Sequence, residues 1–150
     1  MTIAPSAAAP TATFAHRSHP ARTARTALWA GRVVSAIPVL FLAFDAIGKV
    51  SAMQVAVEGT KELGYPVEVL VPLGVVQLVC LALYLVPRTA ILGAVLWTGY
   101  LGGAVATHVR MSHPWATHIL FPVFVAAFLW AGLWLRDRRA RMLLARPAQV

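Results

Sequence analysis

Asp45, Lys49, Glu68, His108 and His118 are the side chains best suited to acid–base or binding chemistry, because each stands at or inside an otherwise apolar run. Asp45 and Lys49 are four residues apart and so share one helix face. Imidazoles titrate near neutrality, and carboxylates orient them or take up protons. Such a set could carry protons, bind a quinone headgroup or coordinate a metal, and residue types alone do not rank the three. Plainer roles exist for each. Asp45 and Lys49 can be an ion pair that eases two charges into a membrane interface, and Glu68 and His118 can be solvated helix ends. Gln77 follows Glu68 by nine residues, ~13 Å deeper and on the opposite side of a helix, where an amide should hydrogen-bond across to another helix as a structural tie.

Those residues need elements to hold them, and the clearest is Thr89 to Val109, which contains no charged side chain between Arg88 and Arg110. As a helix it would be ~31 Å long, the thickness of a bilayer's hydrocarbon core. Three further spans are expected at Val33–Val50, Val67–Val86 and His118–Leu135, with a short interfacial helix and turn in Ser51–Pro66. In the first, Asp45 costs about 2.5–3.5 kcal/mol, whereas the strongly apolar residues between Val33 and Ile47 return roughly 3–5 kcal/mol, so insertion wins. Gly99, Gly102, Gly103 and Ala106 form a small-residue surface expected to pack closely against another helix, within the chain or in a second copy. His108 lies nine residues from Gly99, about 180° around the helix. With the glycine face inward, His108 points away.

The resulting fold class is all-α: a membrane-embedded antiparallel four-helix bundle over 28–136, with a disordered basic tail at 1–27 and a basic tail at 137–150. Composition agrees. Of 150 residues, 59% are hydrophobic and 12% charged, with mean hydropathy +0.73. That is too little charge to cover a soluble domain. The net charge of +8 comes from arginines that bracket apolar segments, so they read as topology signals and lipid contacts; no nucleic-acid partner is expected. Ten of the 13 basic residues fall on the side of the termini, which places both termini in the cytoplasm of a cell-membrane protein. Trp29, Tyr84 and Trp134 should mark the inner interface, Tyr65 and Trp115 the outer one. Cys80 stands alone, there is no CxxC pair and no CxxCH haem attachment, and no metal site is expected. No cofactor motif is evident; a quinone is the cofactor the outer pocket of Asp45, Lys49, Glu68, His108 and His118 could take.

Gly64-Tyr65-Pro66, Pro87-Arg88-Thr89 and the run from Thr98 to Arg110, TGYLGGAVATHVR, preceded by Asp45 and Lys49, resemble the DoxX-like family of small four-helix membrane proteins, over about Val33 to Leu135. The family takes its name from a subunit of a thiosulfate:quinone oxidoreductase, and some relatives are linked to membrane redox complexes. The resemblance therefore implies an accessory or quinone-interacting subunit, with other redox subunits as partners beside the lipid bilayer. Many members carry Glu where this chain has Gln77, which takes a titratable group out of mid-membrane and weakens a proton-relay reading. The alternatives are a noncatalytic scaffold or assembly factor, since no complete nucleophile, metal or cofactor motif is visible, and a small proton-coupled permease, for which four spans are few.

Overall fold

A computed structural model describes residues 20–144, with side chains over 25–143. The described chain is helical, without strands: α1 Pro20–Val50, α2 Gln54–Glu62, α3 Leu70–Leu85, α4 Ala90–Arg110, α5 Leu120–Arg136 and α6 Arg138–Leu144. A 3-10 turn, Val67–Val69, leads into α3, and a π-helical turn, Trp115–Ile119, leads into α5. Four segments are long and apolar enough to cross a membrane: Arg25–Val50, Val67–Leu85, Ala90–Arg110 and Trp115–Arg136. Each is apolar nearly all round, and less than half of each is buried within the bundle. Exposed Leu40, Phe44, Val95 and Phe124 are then an outer surface suited to lipid rather than water.

The four long helices form a ring in which α1 packs against α3 and α5, and α4 packs against the same two. α1 and α4 thus face each other across the bundle axis. The core of Tyr84, Trp97, Leu129 and Leu133 fills the end nearer the termini, and Leu42 continues it toward the distal end. Tyr84 is fully buried and ties three helices there. Its hydroxyl donates to the Leu129 carbonyl at 2.8 Å and contacts the Ser35 hydroxyl at 3.1 Å. Arg136 lies over the Tyr84 ring, 4.6 Å from its centroid, and donates to its backbone carbonyl at 3.0 Å. Tyr84 is therefore an interior tie and not the interfacial aromatic expected from its place near a span end.

Two more expectations need correction. The tail expected to be disordered through Ala27 is helical from Pro20; proline suits a first helical turn and the Ala/Arg run after it favours helix without an apolar stripe to announce it. Residues 1–19 lie outside the described part. The basic tail after Arg136 also begins as a helix, α6, started by Asp137, whose carboxylate accepts the Arg139 N–H at 2.8 Å. Finally, Gly99, Gly102, Gly103 and Ala106 face outward, and a Cβ on any of the three glycines would meet nothing within 4 Å. Trp97 and Leu101, two residues to either side of Gly99 and about 200° around the helix, take the inward positions instead. The close approach comes one turn earlier, at Gly93, where a Cβ would strike the Tyr84 backbone.

Gly93→Ala should cost about 1–3 kcal/mol through overpacking against an immovable backbone. Gly102→Ala should be neutral or stabilise by up to about 1 kcal/mol. Thermal unfolding of both variants in mild detergent checks this, and equal losses would contradict the assigned helix faces.

Candidate functional site

At the end of the bundle opposite the termini, the distal end, the core gives way to polar chemistry. Asp45 and Lys49, one turn apart on α1, form an ion pair through Asp45 Oδ2. The same oxygen accepts the Gln77 Nε2–H of α3 at 2.7 Å. Gln77 reaches it because Gly74, one turn earlier on α3, brings the helices together: a Cβ there would stand 2.9 Å from Lys49 Cβ and 2.8 Å from Val50 Cγ2. Gln77 is 1% exposed, and its Oε1 has no hydrogen-bond partner. A buried acceptor without a donor typically costs about 1–3 kcal/mol. Lys49 and Gln77 both bond to Asp45 Oδ2, which leaves Oδ1 without a side-chain donor among the described residues.

The triad lies deeper than the headgroup position expected for Asp45. Gln77 is ten residues past Val67 and eight before Leu85, near the middle of its span, and Asp45 bonds directly to it. A carboxylate at that level is expensive unless paired, and here a cation from its own helix and an amide from the next supply the pairing.

These three residues line one side of a cavity of about 730 Å³ bounded by α1, α2, α3, α4 and α5. Apolar groups make up most of the wall, among them Phe41, Leu73, Leu101, Phe121 and Val125. The outward-facing Gly99 and Gly103 belong to this wall too, leaving open the space that larger side chains would fill. α2 contributes Val55, Ala56, Gly59 and Thr60, so this short helix lies across the cavity. At the rim the Tyr65 hydroxyl meets Thr107 Oγ1 at 2.9 Å, and Arg110 donates to the Leu63 carbonyl at 3.2 Å. These contacts pin the loop before α3 to the end of α4; Gly64, with φ +74°, makes its turn.

The expected outer pocket is thus brought together only in part. Asp45, Lys49 and His108 line the cavity, whereas Glu68 is exposed in its 3-10 turn and His118 is exposed beyond the rim. Gln77 makes the interhelical hydrogen bond expected of it, and its partner is Asp45, which brings it into the polar cluster. His108 is half-buried and stacks with His113 and His118. Residue-by-residue reading missed His113, Tyr65 and Thr107. The even spacing of His108, His113 and His118 was a usable signal for the first, and the position of Tyr65 in the Gly-Tyr-Pro turn was one for the second.

A sequence model described as the DoxX-like family matches residues 33–132, two thirds of the chain and the whole of the triad and cavity wall. No curated protein matches, and no solved structure does.

Lys49→Met should destabilise the bundle by about 1–3 kcal/mol, because it leaves a part-buried carboxylate with an amide as its only donor. The double variant Asp45→Asn/Lys49→Met should recover most of that loss. Thermal unfolding of both singles and the double measures the coupling, and additive losses would show that the pair does not act as a unit.

Proposed function

The chain belongs to the DoxX-like family, and we propose that it is an accessory, quinone-interacting subunit of a membrane redox system that holds a quinone-type headgroup in its distal cavity. The observation that carries this reading is a cavity of about 730 Å³, within the range of small-molecule sites, whose apolar wall converges on one polar cluster. The chemistry is complementary to a ring bearing oxygens at its edge. Lys49 supplies N–H donors to a carbonyl, and Asp45 Oδ1 and Gln77 Oε1 are acceptors that a hydroxyl of the reduced ring would satisfy. The isoprenoid tail of such a molecule suits the phenylalanine and glycine wall and the lipid beyond it. Because Gln77 cannot ionise, proton exchange with the headgroup falls to Asp45, Lys49 and His108.

The scaffold reading makes a different demand: partner proteins whose levels fall with this chain, and a cavity whose filling changes nothing. Gently purified protein extracted with solvent should yield quinone in stoichiometric amount. Asp45→Asn, which removes one charge-assisted hydrogen bond, should weaken retention by about 10- to 100-fold. Gly103→Leu should abolish retention while leaving the melting temperature close to wild type, since nothing stands where its side chain would go. Quinone-free wild type that still stabilises a redox partner would transfer the assignment to the scaffold.

A further inference from the structure

α6 does not continue α5. Asp137 stands between them as one extended residue, φ −117° and ψ 116°, and the turn it makes returns Ala140, 1% exposed, to the core cluster. Ala140 thus seats the helix on the end of the bundle, and the face turned away from it is bare. On that face Arg138 precedes Met142 and Arg139 precedes Leu143, each by one helical turn. Both arginines are exposed, and Met142 and Leu143 are 62% and 61% exposed. Two cations and two large apolar side chains therefore share one open surface. The rest of this end is basic too. Arg25, Arg32 and Arg88 are exposed on α1 and in the turn between α3 and α4, and the Arg32 guanidinium lies 5.3 Å from the ring centre of the exposed Trp29. Asp137 is the one acidic residue here among the described residues, and its carboxylate caps α6. Arg136 takes no part, because it is drawn inward over Tyr84.

We propose that α6 and the arginines around it are a docking face for anionic phospholipid, in the leaflet on the side of the termini. Water suits the arginines and leaves Met142 and Leu143 uncovered, whereas hydrocarbon suits that pair and strands the charges. The boundary between headgroups and acyl chains meets both needs: the apolar tips dip below the phosphates while the guanidinium forks bond to them. Anionic headgroups also supply the counter-charge that Asp137 alone does not, and each arginine near such a leaflet adds to the attraction. A nucleic acid would match the charge but offers nothing to cover the apolar pair. Crossing a bilayer requires only hydrocarbon of the right thickness, so selection of headgroups by charge is an additional property of this chain. It does not depend on what the distal cavity holds.

The test is the lipid selectivity of the full chain in phosphatidylcholine bilayers, read by electron spin resonance of trace spin-labelled phosphatidylglycerol and, separately, spin-labelled phosphatidylcholine. At low salt the protein-contacting fraction should favour phosphatidylglycerol by about five-fold or more, the worth of a single arginine beside an anionic leaflet. That preference should shrink in about 1 M salt, where the screening length falls to ~3 Å. Arg138→Gln/Arg139→Gln/Arg141→Gln should lower it by at least about two-fold, with helix content and melting temperature near wild type. Lys61→Gln, an exposed cation at the distal end, should leave it intact. Equal association of the two lipids, or a preference that survives the triple variant, would overturn the proposal. Retention of a single-stranded oligonucleotide, lost in the triple variant and without any lipid preference, would overturn it in favour of a nucleic-acid partner.

Discussion

The distal half of this molecule depends on keeping one carboxylate satisfied inside an apolar bundle. Asp45 sits level with the middle of a neighbouring span, where an unpaired charge would cost more than several leucines return. Lys49 answers it from the same helix, one turn on, and Gln77 answers it from α3. Gln77 does so only because Gly74 lets α3 approach α1 at Lys49 and Val50. Helix spacing, ion pair and amide are one device. It leaves the buried Gln77 Oε1 without a hydrogen-bond partner, and Gln77 and Asp45 together give the cavity its polar side.

The two ends of the bundle differ: one is packed around Tyr84, and the distal one holds the cavity. Near the termini, Tyr84 closes the ring of helices with bonds to α1 and α5, Arg136 covers it, and the buried Trp97, Leu129 and Leu133 belong to the same core. Toward the distal end α1 and α4 face each other across a gap. α4 lines the cavity with Gly99 and Gly103 from its exposed face and with the buried Leu101 from its inner side, whereas Trp97 packs in the core. The glycines of this stretch leave open space and pack against no other helix of the described chain.

The architecture was legible in the sequence because span length and apolarity are one-dimensional properties: four long apolar runs with short connections leave few alternatives to an antiparallel bundle. Asp45 and Lys49 were legible as a pair for the same reason, since four residues fix one helix face. The partnership with Gln77 was not, because helical rotation places Gln77 opposite Glu68 but says nothing of the rotation of α3 relative to α1, which Gly74 sets. The glycine stripe misled for a related reason. Small residues signal that something approaches or that space is kept, and composition cannot tell the two apart. Tyr84 and Arg136 were read as interface and topology markers, although an aromatic with a polar tip near a span end serves equally as an interior tie. The family motif reached further than periodicity here, since it covers the residues from Thr98 to Arg110 that build the cavity wall.

Photoaffinity labelling in proteoliposomes with an azido-substituted quinone, followed by mapping of the modified peptides, tests the central claim most directly. The account predicts label on the cavity segments of α1 around Phe41–Lys49 and of α4 around Gly99–His108, competed by unlabelled quinone and lost in Gly103→Leu. Label spread over the outward faces around Val95 and Phe124, indifferent to competitor and to the cavity-filling change, would contradict it.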